Sequence, residues 1–224
     1  MVVIGLVGNK RVGKDTVADY LVSNYKFKKY AFADQIKKIA HTIFGWSENQ
    51  LDGDNKDILD EELGIIPREF FEWFGTTIMQ HSFDIRFQNN KLPPRAIWAY
   101  SILKQIHLDL ETYIMKDYNI VITDFRFMHE FNLITSQIPE IKFLIIDNLS
   151  VGINQKIDNM SKSTYWQYEI NEIINNIYNE DKQHHIIKNN STFENLYLQI
   201  DTCMNDYNVL KHNYNINIKD AYFQ

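Results

Sequence analysis

Val3-Ile4-Gly5-Leu6-Val7-Gly8-Asn9-Lys10-Arg11-Val12-Gly13-Lys14-Asp15-Thr16 is the stretch that decides the architecture. Residues 2–7 read as a buried strand. They run directly into Gly8…Gly13-Lys14, which matches G-x-x-x-x-G-K, and a helix is expected from about residue 14 to 25. Glycines at 8 and 13 let backbone amides approach an anion closely, and those amides and the helix N-terminus supply partial positive charge. Lys14 is placed to reach the outer phosphates of a nucleoside triphosphate. A glycine-rich turn with a surface lysine is the bland alternative; strand, turn, lysine and hydroxyl residue in this order speak against it. The residue after such a lysine is usually Ser or Thr, whose hydroxyl binds magnesium. Here Asp15 stands there and Thr16 follows. Asp15 either helps hold the magnesium shell or caps the helix.

A second anchor lies farther along. Ile120-Val121-Ile122-Thr123-Asp124 is an apolar run ending in a carboxylate, the pattern of a parallel strand buried on both faces. A carboxylate at that place organises magnesium and its waters in phosphate-binding proteins of this type, although a strand-end Asp can also be a turn residue. Arg126, His129 and Glu130 follow. An arginine so close to the metal site can grip an acceptor phosphate through its planar fork. Glu130 either orients that arginine or is an ordinary helix-start carboxylate.

Bulk properties narrow the class. With 45% apolar and 23% charged residues the 224-residue chain has a globular balance and can build a core. No apolar run approaches the roughly 20 residues of a membrane helix. The N-terminal run lacks a basic leader and reads as a strand, and one cysteine, Cys203, allows no internal disulfide; a cytoplasmic location, host cytoplasm if the chain is viral, is the expectation. Enrichment in Asn, Ile, Lys and Tyr fits an AT-rich coding genome. The net charge of −6 argues against nucleic acid as a partner. Positive charge is nevertheless concentrated: all five arginines (Arg11, Arg68, Arg86, Arg95, Arg126) fall within the first 126 residues.

Further strands are expected near 28–32, 142–146 and 185–188, alternating with helices at 36–44, 68–83, 96–116 and 193–205. That alternation implies an α/β three-layer fold with a parallel five-stranded sheet covered on both faces. Residues 45–62, polar and acidic, read as a loop or mobile insertion. The whole is one P-loop domain over 1–205, with an acceptor-binding insertion about 45–117, a lid about 148–183 and a tail at 206–224.

Lys10-Arg11-Val12-Gly13-Lys14-Asp15-Thr16, Tyr30-Ala31-Phe32-Ala33-Asp34-Gln35-Ile36-Lys37, Arg68-Glu69-Phe70-Phe71-Glu72-Trp73-Phe74-Gly75-Thr76, Trp98, Asp124-Phe125-Arg126 with His129-Glu130, and Ile187-Lys188-Asn189-Asn190-Ser191 occur in order. Together they resemble the deoxynucleoside monophosphate kinases of tailed phages and large DNA viruses. The resemblance implies strand order 2-3-1-4-5, ATP and Mg2+, and conversion of a dNMP to a dNDP. It implies ATP contacts from Lys10, Arg11, Val12, Gly13, Lys14, Asp15 and Thr16, with Asn189 and Asn190 near adenine. The acceptor would meet Lys10, Asp34, Ile36, Lys37, Arg68, Trp73, Arg126 and Glu130. Catalysis would fall to Lys14, Arg11, Asp15, Asp124 and Arg126, with magnesium at Thr16, Asp15 and Asp124, partly through water. A homodimer is usual among the phage relatives, and no membrane or nucleic-acid partner is implied.

One departure stands out. Related enzymes usually carry an arginine just after the fourth strand, where Asp147 stands here, and no arginine follows Arg126. Lys156, Lys162 or Arg11 would have to replace lid arginines in neutralising transition-state charge. Two other readings stay open: another P-loop kinase with a phosphorylated acceptor, such as a dephospho-coenzyme A kinase-like enzyme, or a catalytically degenerate nucleotide-binding protein. A GTP switch is disfavoured, because Asn55-Lys56-Asp57-Ile58 fails the guanine-reading Asn-Lys-x-Asp pattern at its last position.

Overall fold

The computed structural model describes residues 1–112, 118–148 and 162–211. Its five strands are β1 (Val3–Val7), β2 (Phe27–Ala31), β3 (Asn119–Phe125), β4 (Lys142–Asp147) and β5 (His184–Lys188), and they form one sheet in the order β2-β3-β1-β4-β5. Every pairing is parallel. The expected fold and strand order are therefore present. β1, the strand that feeds the glycine-rich turn, lies between β3 and β4 in the sheet centre, which explains why all five of its residues are buried.

Alternation along the strands sends side chains to opposite faces. Ile4, Leu6, Val121, Leu144 and Ile146 meet α1 (Lys14–Tyr25) and α9 (Phe193–Asp206) through Val17, Leu21, Leu196 and Ile200. Val3, Val7, Ile120, Ile122 and Ile145 face the other way. They pack with α2 (Asp34–Phe44), α6 (Ile97–Glu111), α7 (Met128–Gln137) and α8 (Lys162–Asn179). The result is helix, sheet, helix. Tyr207 and Val209, just past α9, are buried in the first of these cores, so the start of the C-terminal tail is packed.

Residues 45–62 depart from the loop expectation. α3 (Glu48–Leu51) and a 3-10 turn (Asp54–Asp57) form there, and Trp46 is 1% exposed. Its ring sits among Phe44, Phe70 and Phe71, and its indole N–H donates to Asp60 at 2.8 Å. A polar stretch thus carries one large apolar anchor, which composition averaged away. The aromatic segment after it is helical, as expected, but in three pieces. α4 (Pro67–Glu72) opens with a proline at its first position, residues Trp73–Ser82 are wound as a π-helix, and α5 (Phe83–Arg86) ends the rod. π-helical winding is rare and is often found at functional sites. Gly75 lets this rod lie against α2 and α6: a Cβ there would come within 2.8 Å of Ile36, and the Trp98 indole donates to the Gly75 carbonyl at 2.9 Å.

Trp46→Ala should therefore destabilise the protein by about 3–5 kcal/mol, as large-to-small changes of buried aromatics do, whereas a residue in a mobile loop would cost almost nothing. Urea unfolding of the variant beside the wild type measures the difference.

Candidate active site

The turn between β1 and α1 is closed by backbone conformations that side chains usually avoid. Gly13 has φ 97° and Arg11 has φ 67°. A Cβ on Gly13 would collide with the Asn189 amide, which donates to the Val12 carbonyl at 2.9 Å. The loop after β5 is thereby fastened to the turn after β1, and Asn190 follows at the surface. Lys14 folds back over the turn: its ammonium donates to the Gly8 carbonyl at 2.9 Å and the Asn9 carbonyl at 2.8 Å, and the residue is only 8% exposed. Burial lowers its pKa, the nearby Asp124 carboxylate opposes that, and Arg126 reinforces it.

Asp124 reaches Lys14 because β3 is irregular. β1 and β3 run in register from Val3↔Ile120 to Gly5↔Ile122, but Val7 then pairs with Phe125, so β3 holds one extra residue. Asp124 takes φ 65° at this bulge. Aspartate tolerates the left-handed region, and a bulge re-aims a side chain. The carboxylate comes to lie 3.8 Å from the Lys14 ammonium and 3.4 Å from the Arg126 guanidinium. Glu130, fully desolvated, accepts hydrogen bonds from the backbone N–H groups of Arg126 and Phe127 at 3.0 and 3.1 Å. It shapes the turn that carries Arg126, as a helix-start carboxylate. Arg126's guanidinium goes instead to Asp124 and lies over the Trp166 ring.

The other cations approach from the turn and the insertion. Burial lowers the pKa of Lys10, and the charges of Arg68, Arg11 and Arg126 lower it further. Arg68, from α4, is gripped by both oxygens of Asp57, one of them at 2.9 Å from a terminal nitrogen. Lys37 is paired with Asp52, also on the insertion. Trp73 is 53% exposed, while Phe70, Phe71 and Phe74 pack around it against the Trp46 cluster, so the indole alone of this aromatic run offers an open face. Ile36 is buried against Gly75, and Asp34 accepts from the Ala31 N–H at 2.8 Å, which braces the turn after β2. Asp15 is exposed and bound to Lys29 at 3.0 Å. Thr16 lies in the same first turn of α1. Lys156 falls outside the described residues, as does the side chain of Lys162.

Gln80 and Arg95, which the sequence offers as candidates for reading the edge of an acceptor base, are brought together with Tyr165 and His129. Arg95 has φ 63°, its backbone N–H donates to Asp84 at 2.6 Å, and its guanidinium lies over Phe127, near Tyr165 at 3.4 Å and the buried Gln80 at 3.5 Å. His129 stacks on Phe127 and is kept neutral: burial, then the charge of Arg95, pushes its pKa down to about 4. Arg95 Nε, His129 Nε2 and Asn9 Oδ1 are buried polar atoms without a hydrogen-bond partner among the described residues. Asp57, Trp166 and Glu169 were missed in the sequence. Each acts on an arginine or on an arginine-bearing turn from a distant part of the chain, and nothing in local spacing signals that.

Comparison with known proteins bears on the family resemblance. The family model for deoxynucleotide monophosphate kinase matches residues 2–65, which covers the cradle and the start of the insertion and ends short of Arg68. Over 211 residues, 92% of this chain and 97% of the other, the sequence is 28% identical to an Acanthamoeba polyphaga mimivirus protein described as "Putative deoxynucleotide monophosphate kinase". The resemblance drawn from the motifs is thus borne out, and it supports a kinase activity. Among solved structures, an unliganded sugar kinase from Janibacter sp. HTCC2649 aligns with TM-score 0.47 and 10% identity over 93% of this chain and 95% of its own. TT1252 from Thermus thermophilus aligns with TM-score 0.45 and 11% identity over 92% and 97%. The fold assignment rests on the strand order itself. No helix among the described residues is long and apolar enough to cross a membrane.

The buried Glu130 makes a pH prediction. Burial raises its pKa to about 8, against the pull of its two backbone hydrogen bonds. A carboxyl whose folded pKa lies above its unfolded one stabilises fully below the unfolded value, and that contribution is lost as pH rises through the folded pKa. Wild-type melting temperature should therefore carry a falling contribution between about pH 4.5 and pH 8. Glu130→Gln, which keeps the amide-accepting oxygen, should flatten that slope in parallel thermal melts.

Proposed function

We propose that this chain is an ATP-dependent deoxynucleoside monophosphate kinase, transferring the γ-phosphoryl group of ATP to a dNMP to give dNDP and ADP. The observation that carries the reading is the meeting of Lys14, Asp124 and Arg126 in one chain of contacts, 3.8 and 3.4 Å long, with Lys10, Arg11 and Arg68 as charged neighbours. Cations from the β1 turn, α4 and the β3 bulge converge on one basin. A kinase that brings two phosphate-bearing anions together needs such convergence, and a single nucleotide site does not.

In this reading an oxygen of the acceptor monophosphate attacks the γ-phosphorus, and the bond from that phosphorus to the ADP oxygen breaks. Lys14, Gly13 and the turn amides hold the donor phosphates, with Val12, Asp15 and Thr16 completing the cradle and Asn189-Asn190 beside the adenine. Lys14 and Arg11 offset charge developing on the transferred group. Arg126 and Arg68 hold the acceptor phosphate from two elements, which places it for in-line attack. Arg68 exchanges Asp57 for that phosphate; because the ion pair is at the surface, little is lost in the exchange. Trp73 offers its face to the base, and Lys10, Ile36 and Lys37 border the acceptor, with Asp34 and Glu130 shaping the two turns that enclose it. A magnesium ion suits the donors present, since it takes hard oxygen ligands, one or two carboxylates and several waters. Asp124 and Thr16 would hold it directly or through water. Asp15, turned to Lys29, would act only in the outer shell. When bound, the ion neutralises phosphate charge. The setting we propose is the cytoplasm, the host's if the chain is viral, and the functional unit a homodimer.

Steady-state assays with ATP and each dNMP test the activity. Lys14→Ala should lower kcat by about 100-fold or more with the fold intact. Arg68→Ala and Arg126→Ala should each raise KM for the dNMP about 10- to 100-fold, the range for losing a charge-assisted hydrogen bond, and leave KM for ATP unchanged. Equal loss toward both substrates would place these arginines at the ATP site and undo the acceptor assignment.

A further inference from the structure

The missing lid arginines pose a concrete question. Monophosphate transfer gathers negative charge between donor and acceptor, and after Arg126 the chain offers no further guanidinium. On the acceptor side, beside Lys14 and Arg11, Arg126 then has to meet the phosphate with a fork held in one orientation. Its side chain is 45% exposed, and the carboxylate it contacts, Asp124, is shared with Lys14. A long cationic side chain at half exposure samples many rotamers and loses that freedom when it binds phosphate.

α8 supplies the restraint. The Arg126 guanidinium lies 5.8 Å from the centre of the Trp166 ring, within the range of a cation–π contact, for which tryptophan is the best partner. One turn along the same helix, Glu169 accepts from the Met128 N–H at 2.8 Å, at the first turn of α7 and two residues from Arg126. Its other oxygen accepts from the Tyr165 hydroxyl at 2.5 Å, and that hydroxyl in turn faces the Arg95 guanidinium. Ile170, Ile173 and Ile177 sink the rest of α8 into the core. The helix is therefore anchored on the turn that bears Arg126, with Trp166 laid against that arginine's charged end.

We propose that Trp166 is a positioning residue for Arg126, and that the lid helix of this chain works through an arginine of the body instead of carrying its own. The proposal rests on the kinase reading above. Trp166 does not touch the reacting atoms. It holds the guanidinium flat, so that the fork meets the acceptor phosphate already oriented, and it leaves the outward N–H donors free.

A double-mutant cycle decides it. Trp166→Leu should lower kcat/KM for the dNMP about three- to thirtyfold, the range spanned by cation–π contacts, with KM for ATP unchanged. Trp166→Tyr, which keeps an aromatic face, should retain most of the activity. In an Arg126→Ala background, Trp166→Leu should produce no further fall, because the interaction it removes is already gone. Equal falls in both backgrounds, or a fall in ATP affinity alongside the dNMP effect, would show Trp166 to be only a packing residue and overturn the proposal. A wild type that turns over no dNMP defeats the kinase reading alone, since the same four proteins unfolded in urea still decide the pair. Coupled losses of stability support it and additive losses overturn it.

Discussion

The ammonium of Lys14 is the group on which the arrangement turns. A cation 8% exposed needs partners on several sides, and it finds the carbonyls of Gly8 and Asn9 in its own turn and a carboxylate from β3. The first two require the tight reversal that Gly13 permits at φ 97°. The third requires β3 to be the immediate neighbour of β1 and to carry an extra residue at its end. Move β1 to a sheet edge, or remove the bulge, and the lysine would be buried without its carboxylate. The central position of β1, the bulge at Asp124 and the clasp of Asn189 on the turn are one linked solution to holding a charge in that hollow.

Around this fixed centre the insertion plays a different part. Its body is held by Trp46, Phe70 and Trp98, all buried, while its polar groups are held by exposed ion pairs. Arg68 is held by Asp57 and Lys37 by Asp52, and surface pairs of that kind exchange readily for a better anion. Packing energy thus fixes where the insertion sits, and weak electrostatics leave Arg68 and Lys37 available. Donor-side Lys14 is the opposite case, enclosed and bound to backbone carbonyls that cannot move away.

The distribution of arginine shapes the rest. Five guanidiniums serve the whole chain, and three of them, Arg11, Arg68 and Arg126, are mutual neighbours of Lys10. α8 brings Trp166 to Arg126 and Tyr165 to Arg95, so uncharged side chains of one helix reach two separate cations. Glu169 ties that helix to α7, which makes the position of α8 part of the geometry of the β3–α7 turn.

Much of this was legible in the residues. The turn from Gly8 to Lys14 is a local object: its glycines, its lysine and the strand before it are contiguous, and backbone conformational preference acts over just that distance. β1, β3 and β4 were legible because buried parallel strands are continuous apolar runs, whereas β2 and β5, at the sheet edges, mix in lysine and histidine and gave a weaker signal. Trp46 was hidden because one aromatic residue does not change the polarity of the stretch around it. The two readings left open for Glu130 could be separated only by seeing its Oε2 accept from the Arg126 and Phe127 amides. Asp57 on Arg68, Trp166 over Arg126 and Asn189 against Gly13 join residues 11, 40 and 176 positions apart. The sequence by itself determined the elements and the phosphate turn, because both follow from short-range periodicity and backbone freedom. Which charge meets which partner was decided only by the tertiary structure, since side-chain contacts depend on how the helices settle on the sheet, and spacing along the chain carries no record of that.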